Sequence, residues 1–179
     1  MAAPDSTGSP VSYLAADSPV GPLLLGAADG ALVRLAFADA DRERVVAQLS
    51  TRIGPPTELP DPVLDQAASE LAEYFAGHRQ VFDVPLDFRL STGFRRTVQQ
   101  FLPSIGYGRT LTYAQVAAAV DHPQAVRAVG SACATNPLAI FVPCHRVLRS
   151  DGGPGGYAGG LEAKRLLLAL ERDHAASAS

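Results

Sequence analysis

The sequence predicts an α/β N-terminal domain, with a short antiparallel sheet plus helices, followed by a mainly α C-terminal domain with a helix-turn-helix. Short strand-like segments separated by turn signals occupy the first part of the 179-residue chain. Helical patterns dominate from residue 91 onwards, and two of them are joined by a tight turn. We therefore expect two domains, at residues 1–90 (including a flexible tail and a connector) and at residues 91–179.

In the N-terminal domain, turn signals separate the predicted elements. Ser18-Pro19-Val20-Gly21-Pro22 predicts a turn, and Asp29-Gly30 is a hairpin signal because a type I′ turn needs positive φ at both positions. Four prolines within residues 51–62 predict a loop, and residues 83–86 predict an extended connector. The predicted elements are strands at residues 11–15, 23–27 and 31–37 and helices at residues 39–49 and 63–75.

In the C-terminal domain, helices are predicted on both sides of a short apolar segment. Thr112 is the predicted N-cap of the second helix, and Asn136-Pro137 ends the third. The second and third helices form the helix-turn-helix candidate, although such pairs also occur as plain packing. The predicted elements are helices at residues 93–102, 113–120, 124–134 and 161–174, a buried strand at residues 140–142 and a glycine-rich loop at residues 150–160.

The composition limits the possible partners. Its 47% hydrophobic and 18% charged residues are typical of a globular protein, and the net charge of −3 argues against a broad basic surface. Any contact with nucleic acid must therefore come from a local patch. Neither a membrane-spanning run nor a signal peptide is recognised, and residues 1–10 predict a frayed tail. Two cysteines predict no disulfide scaffold and favour a reduced, intracellular compartment.

Cys144 is the first candidate for chemistry. A cysteine is usually a small buried hydrophobic residue, and Cys133 fits that interpretation. Cys144 differs because it follows the predicted strand, is fixed by Pro143 and is flanked by His145 and Arg146. A reactive thiolate needs a base or a nearby positive charge, and His145 and Arg146 are the respective candidates. Adjacent side chains on an extended chain point in opposite directions, so the hypothesis requires a turn to begin at Cys144.

A carboxylate is the usual partner that orients a histidine base, unless His145 merely caps a turn. Glu162 and Glu171 both lie on the last predicted helix, and Glu171 falls one turn beyond Leu167 on its apolar side. This spacing favours Glu171 as the buried partner. A dinucleotide site in the glycine-rich loop is disfavoured because Pro154 has no N–H for a phosphate. The cysteines and histidines show no metal-ligand spacing, so we expect no metal site.

The motifs around Cys144 follow one another in a long, ordered string. The string resembles the O6-alkylguanine-DNA alkyltransferases, also called methylated-DNA–protein-cysteine methyltransferases. The resemblance covers nearly the whole chain and is most specific between Tyr113 and Glu171. Its motifs are Gly108-Arg109-Thr110-Leu111-Thr112-Tyr113, Arg127-Ala128-Val129-Gly130, Asn136-Pro137-Leu138, Pro143-Cys144-His145-Arg146-Val147, Gly156-Tyr157-Ala158-Gly159-Gly160-Leu161 and Lys164.

The resemblance implies DNA repair by direct, irreversible transfer of an alkyl group from O6 of guanine to Cys144, once per molecule and with nucleotide flipping. His145 is similar to the base that deprotonates the cysteine through a water, and Glu171 to the carboxylate that orients this base. Asn136 resembles the residue that ties the DNA-binding helix to the active-site segment. Residues 91–179 would then form the helix-turn-helix DNA-binding and alkyl-acceptor domain.

The resemblance also implies which residues contact the DNA and the base. Arg127 is similar to the finger that fills the gap left by an extruded guanine, and Tyr113 to the hydroxyl that contacts the flipped nucleotide. Tyr157 resembles a pocket wall, and the backbone at Val147 and Ala158 resembles the groups that hydrogen-bond the base.

Small residues of the recognition helix, among them Ala128 and Ser131, would allow close approach to a minor groove. The implied partner is double-stranded DNA that carries O6-alkylguanine, and the implied cofactor requirement is none. We expect a monomer in the bacterial cytoplasm, associated with the nucleoid when it acts.

The chain departs from the family pattern at two positions. Gln99 follows Val98 where relatives commonly have tryptophan, and Gly106 stands where relatives usually have proline. Both changes concern packing and turn rigidity more than chemistry. Two other functions remain open. A protein that only binds DNA lesions would use Arg127 without any alkylation of Cys144. A cysteine-dependent hydrolase would turn over repeatedly and would not act on DNA.

Overall fold

The computed structural model describes residues 8–37 and 42–176, so residues 1–7 of the predicted tail and residues 39–41 of the first predicted helix lie outside the described residues. The N-terminal half contains β1 (Val11–Ala16), β2 (Leu23–Ala28), β3 (Ala31–Phe37), α1 (Arg42–Arg52), β4 (Pro56–Thr57) and α2 (Pro62–Phe75). The C-terminal half contains α3 (Gly93–Phe101), β5 (Leu111–Thr112), α4 (Tyr113–Ala119), α5 (Val126–Ala134), β6 (Val147–Leu148) and α6 (Gly160–Ala176). The predicted α/β N-terminal part followed by a mainly α C-terminal part is confirmed, and the helix-turn-helix stays a prediction. None of the described helices is long and apolar enough to cross a membrane.

The N-terminal sheet is mixed rather than wholly antiparallel. Its strand order is β3-β2-β1-β4, with the two predicted antiparallel pairs and a parallel pairing of β4 with β1. β4 falls in the proline-rich segment predicted as a loop. A sheet edge accommodates it because an edge strand is paired on one side only, and Val11 donates its N–H to the Pro55 carbonyl at 2.9 Å. The Asp29-Gly30 hairpin is confirmed, with φ of 51° and 76°.

The two N-terminal helices cover opposite faces of this sheet. Side chains alternate along β2, so Leu24 packs in the cluster that contains α1, whereas Leu23 and Leu25 pack in the cluster that contains α2. The second cluster also takes in buried side chains of the C-terminal half, so one continuous core joins the two halves. The Leu35 N–H reinforces this junction by donating to the Pro137 carbonyl at 2.8 Å.

α4 and α5 are the two helices of the predicted pair. A capping box between Thr112 and Gln115 begins α4, which confirms the predicted N-cap. α5 begins at Val126, two residues later than predicted, because the Ala125 N–H closes a turn onto the His122 carbonyl at 2.8 Å. Its buried side chains pack against α3 and α4 and leave the opposite face of the helix exposed.

The predicted strand at residues 140–142 is wrong. These residues are buried as expected, but they form a tight turn in which the Val142 N–H donates to the Leu138 carbonyl at 2.8 Å. Ile140 adopts a φ of 74°, a strained conformation for a β-branched residue. A short apolar run predicts burial but does not distinguish a buried strand from a buried turn.

Gln99, at the position where relatives commonly have tryptophan, is fully buried between helices. Its Nε2 donates to the Ala132 carbonyl at 3.0 Å and so ties α3 to α5. Its Oε1 is buried without a hydrogen-bond partner among the described residues. Gln99 therefore replaces the apolar packing of a tryptophan with one hydrogen bond between α3 and α5.

Replacing Gly106 with alanine is expected to raise the free energy of unfolding by about 0.4–1 kcal/mol, because alanine restricts the unfolded chain. A Cβ at Gly106 would meet only the Arg109 Cδ, at 3.6 Å. Gly108 is the matched control: its φ is 70° and a Cβ there would lie 2.6 Å from the Ala175 Cβ, so Gly108→Ala should destabilise. Urea unfolding of both variants tests this, and destabilisation by Gly106→Ala would contradict it.

Candidate active site

Cys144 begins a 3-10 turn, Cys144–Arg146, directly after the strained turn at residues 138–142. The Cys144 N–H donates to the Val142 carbonyl at 2.8 Å, and the Arg146 N–H donates to the Pro143 carbonyl at 3.0 Å. The turn that the sequence hypothesis requires is therefore present. Cys144 is only 3% exposed, so a substrate must reach into the protein to meet its sulfur.

Asn136 holds this segment against the end of α5. Its Nδ2 donates to the Val142 carbonyl at 2.8 Å, and its Oδ1 accepts the Leu138 N–H at 3.0 Å. Asn136 also acts to lower the pKa of the Cys144 thiol. Since α5 ends two residues earlier, one side chain connects that helix to the turn that precedes Cys144.

Glu171, on α6, is the centre of a buried hydrogen-bond cluster. Its Oε1 lies 2.7 Å from the Tyr74 hydroxyl, 2.7 Å from His145 Nε2 and 2.9 Å from Arg146 Nη2. Its Oε2 accepts from Arg146 Nε at 2.8 Å and from the Gly108 N–H at 3.2 Å. Burial acts to raise the pKa of Glu171, but the hydrogen bonds from His145 and Arg146 and the adjacent positive charge outweigh it and lower the pKa to about 2. Glu171 is therefore ionised at neutral pH.

His145 is oriented by this carboxylate. Because Glu171 is ionised, His145 Nε2 carries the hydrogen of the neutral ring and the lone pair is on Nδ1. Nδ1 is buried and has no hydrogen-bond partner within residues 8–37 and 42–176. Burial lowers the pKa of His145 and outweighs the raising effect of Glu171. The ring is therefore neutral at neutral pH, and Nδ1 can take a proton.

The positive charge that acts on the thiol belongs to Lys164. Lys164 is fully buried on α6, and its Nζ donates to the Val147 carbonyl at 2.7 Å. Burial raises the pKa of the Cys144 thiol, whereas the Asn136 hydrogen bond and the Lys164 charge lower it. Arg146, the candidate cation from the sequence, instead joins the carboxylate cluster described above.

A cleft of about 740 Å³ lies between β3, the end of α5 and the glycine-rich loop. Asn136, Tyr157 and Ala158 are among the residues that line it. The Tyr157 ring meets the Phe37 ring edge-on at 5.6 Å and the His145 ring at 6.4 Å. Tyr157 therefore contacts both the β3 wall of the cleft and the histidine, while Ala158 is exposed at the rim.

Tyr113, the first residue of α4, is half-buried beside the glycine-rich loop. Gly155 has a φ of 67°, and a Cβ there would lie 2.5 Å from the Tyr113 hydroxyl oxygen, so this close approach requires glycine. β5 pairs in parallel with β6, with Leu111 opposite Val147. This pairing fixes the start of α4 beside the segment that follows Cys144.

The exposed face of α5 forms a separate surface. Arg127, Ala128 and Ser131 are exposed, and Arg127 has no hydrogen bond or ion pair to any residue that the structure describes. A shallow depression next to Ala128 and Ser131 is also lined by Thr92 and Arg95. This surface thus presents small side chains together with guanidinium groups.

Comparison with known proteins identifies the family. Residues 11–88 match the model of the 6-O-methylguanine DNA methyltransferase, ribonuclease-like domain, and residues 93–173 match that of the 6-O-methylguanine DNA methyltransferase, DNA binding domain. The chain belongs to the 6-O-methylguanine DNA methyltransferase family.

Named relatives and solved structures agree with this assignment. The methylated-DNA–protein-cysteine methyltransferase of Mycolicibacterium paratuberculosis is 43% identical over 164 residues, which cover 92% of this chain and 94% of the relative. The constitutive enzyme of Bacillus subtilis is 39% identical, with 89% and 94% covered. The crystal structure of Mycobacterium tuberculosis O6-methylguanine methyltransferase has a TM-score of 0.79 at 38% identity, with 92% and 94% covered. The M. tuberculosis protein in complex with DNA has a TM-score of 0.76 at 37% identity, with the same coverage.

In this member of the family, the predicted site residues fall into two groups. One group surrounds the buried cysteine and the cleft beside it, and the other lies on the exposed face of α5. The first group contains Cys144, His145, Glu171, Asn136, Tyr113, Val147, Tyr157 and Ala158, and the second contains Arg127, Ala128 and Ser131. The described residues include no cluster of three His, Cys, Asp or Glu side chains that could hold a metal ion.

Sequence reasoning missed the roles of Lys164 and Tyr74. Lys164 precedes Glu171 by seven residues on the same helix, and this spacing places both on the face that also carries Leu167. That pattern could have identified a buried cation. Tyr74 had no comparable signal, because 97 residues separate it from the Glu171 that it contacts.

Proposed function

We propose that this protein repairs alkylated DNA by accepting the alkyl group from O6 of guanine on the Cys144 sulfur. The observation that carries the proposal is the buried Cys144–His145–Glu171 arrangement, in which an ionised carboxylate orients a neutral histidine. The names of the relatives support the reaction type, and the DNA complex of the M. tuberculosis protein supports DNA as the partner.

The reaction transfers one alkyl group and balances without a cofactor. His145 Nδ1 takes the thiol proton of Cys144 through a bridging water, and the thiolate attacks the alkyl carbon. The S–C bond forms as the C–O6 bond breaks, and the electron pair of the broken bond stays on guanine. The thiol proton then passes from His145 to the guanine anion. Because the thioether product is not opened by thiols, each molecule reacts once.

Because Cys144 is buried, the target base must leave the DNA duplex to reach it. A stacked, paired guanine cannot bring O6 to the sulfur of a residue that is only 3% exposed, so the nucleotide is flipped into the cleft. Tyr157 forms a wall of this cleft, and the backbone at Val147 and Ala158 hydrogen-bonds the base. Tyr113, beside the glycine-rich loop, contacts the flipped nucleotide through its hydroxyl.

The exposed face of α5 is the proposed DNA contact. Ala128 and Ser131 are small enough to allow close approach in the minor groove, and Arg127 occupies the gap left by the extruded guanine. This contact needs only a local patch, which reconciles DNA binding with a net charge of −3. We assign DNA binding and alkyl acceptance to residues 91–179, with residues 1–90 as a supporting domain. The protein acts as a monomer in the cytoplasm, at the nucleoid.

The decisive experiment is intact-protein mass spectrometry after mixing equimolar protein with a duplex that contains one O6-methylguanine. Wild type and Cys133→Ser should each gain the mass of one methyl group and then stop, and Cys144→Ser should gain none. Lesion-selective binding without a mass gain would show that the protein binds damaged DNA without repairing it. Repeated turnover of an acyl substrate, without any reaction with DNA, would show that the protein is a hydrolase.

Methylation of Cys144 is expected to lower the free energy of unfolding by about 1–3 kcal/mol, because an added methyl group overpacks a buried site. Cys144 is 3% exposed as a residue, so little space is available around its side chain. Thermal unfolding of one preparation before and after reaction measures the difference. Equal stability of the two forms would show that the site accommodates the methyl group without strain.

A further inference from the structure

Arg34 on β3 and Arg52 on α1 are two cations beside a common cavity. Together with Gln48 they line a cavity of about 280 Å³ in the N-terminal half. Neither arginine forms an ion pair with any of the described residues; Arg52 donates to the Leu90 carbonyl at 2.9 Å. Burial, together with the positive charge of Arg52, lowers the pKa of Arg34. Two like charges are thus held close together without a carboxylate to neutralise them.

Two carboxylates of the N-terminal half are engaged with another arginine. Asp87, on the connector that leads to Leu90, pairs with Arg89 at 2.6 Å, and Asp29 pairs with the same arginine at 2.8 Å. The Arg34–Arg52 pair therefore keeps its positive charge locally, although the net charge of the whole chain is −3. Such an uncompensated pair of guanidinium groups destabilises the fold slightly and favours an anionic ligand.

Two features relate the cavity to the surroundings of α5. Leu90 lines it, and Thr92, two residues further along, lines the depression that contains Ala128 and Ser131. Arg34 also lines the large cleft together with Thr135, the residue that follows α5. Arg34 therefore borders both the cavity and the cleft at the end of α5.

We propose that Arg34, Gln48 and Arg52 form a subsite for a phosphate group of the DNA backbone. The planar fork of a guanidinium matches two phosphate oxygens, and the Gln48 amide adds a neutral donor. The inference rests on the proposed DNA contact of α5 and extends it. The family's DNA-binding model begins at residue 93, so this subsite assigns a DNA contact to the N-terminal half. A phosphate contact positions the duplex without reading its sequence.

The test measures binding of a fluorescent duplex without a lesion, by anisotropy, over a range of salt concentrations. The double variant Arg34→Gln/Arg52→Gln should bind about tenfold more weakly at low salt, and the slope of log affinity against log salt should become shallower by about one unit. Arg172→Gln is the matched control: it removes one exposed positive charge that pairs with its neighbour Asp173, and binding should be unchanged. Melting temperature should be equal or higher in the double variant, because the repulsion is removed.

Wild-type affinity and salt slope in the double variant would overturn the proposal. So would unchanged affinity of Arg52→Gln alone, an exposed substitution that does not disturb the core. If inorganic phosphate alone raises the melting temperature of wild type but not of the double variant, while DNA affinity is equal, the subsite serves a free phosphate ion and the proposal is wrong. Failure of the proposed function has a different readout, since wild type would then take no methyl group from the lesion duplex.

Discussion

Replacing Glu171 with glutamine is expected to slow methyl transfer to Cys144 by about two to four orders of magnitude. The carboxylate accepts from His145 Nε2 at 2.7 Å and so leaves the lone pair on Nδ1. A glutamine amide can donate to Nε2 instead, which moves the ring hydrogen to Nδ1, the atom that must take the thiol proton. Single-turnover rates from quenched mass spectra measure the loss, and a rate within about threefold of wild type would contradict the assigned tautomer.

The same substitution should lower the free energy of unfolding at pH 7 by about 3–5 kcal/mol, because the buried Arg146 guanidinium loses its counter-charge. In the wild-type protein, Arg146 donates to both Glu171 carboxylate oxygens, at 2.8 and 2.9 Å. A variant that kept wild-type stability at pH 7 would show that other acceptors satisfy this arginine.

Stability should also depend on pH through Glu171. Its pKa is lowered from 4.5 to about 2 in the folded protein, so its contribution is fully present above pH 4.5 and is lost as the pH falls towards 2. The difference corresponds to about 3 kcal/mol. Urea unfolding at pH 7 and pH 3 should show a smaller loss of stability for Glu171→Gln than for wild type.

Tyr74→Phe provides a milder test of the same cluster. It removes the hydroxyl that donates to Glu171 Oε1 at 2.7 Å and keeps the ring. Without this donor the carboxylate interacts more strongly with His145 and raises its pKa, so the acid limb of the pH–rate profile should move to higher pH. Tyr107→Phe is the matched control, because it removes a buried hydroxyl that has no partner among the described residues and should leave the profile unchanged.

Local patterns were sufficient to predict that Glu171 is the buried partner of His145, next to Cys144. Cys144 and His145 are neighbours in the sequence, and Glu171 lies one helical turn beyond Leu167, so short-range spacing carries the information. The contribution of Tyr74 could not be predicted, because only the packing of α2 against the C-terminal half brings its hydroxyl to Glu171. Contacts of this kind depend on tertiary structure and leave no periodic signal.

Two local features were misread for a different reason. The buried turn at residues 140–142 and the edge strand β4 both show that local composition predicts the environment of a segment better than its backbone conformation. Apolar residues predict burial, but a hydrogen bond to Leu138 and the Asn136 side chain select a turn. Prolines predict a loop, yet a sheet edge tolerates Pro56 because pairing is needed on one side only.

Replacing Asn136 with alanine is expected to slow methyl transfer by about two orders of magnitude and to lower the free energy of unfolding by about 2–4 kcal/mol. The substitution leaves two buried backbone groups unsatisfied, the Val142 carbonyl and the Leu138 N–H. It also removes the side chain that holds the turn in which Ile140 adopts a φ of 74°. Release of that strain would displace the Cys144 sulfur from the line of attack on the alkyl carbon.

Asn136→Asp changes both positioning and electrostatics. It keeps an acceptor for the Leu138 N–H, but it loses the donor to the Val142 carbonyl and places negative charge beside the thiol. Because Asn136 acts to lower the pKa of the Cys144 thiol, this pKa should rise in both variants and more in Asn136→Asp, so part of the lost rate should return at high pH. The part that does not return measures displacement of the sulfur. Thr51→Ala is the control, since that exposed hydroxyl donates to the Ala47 carbonyl within α1, away from the cleft. If Asn136→Ala transferred the methyl group as fast as Thr51→Ala, the turn would be held by its own backbone and Asn136 would not position the cysteine.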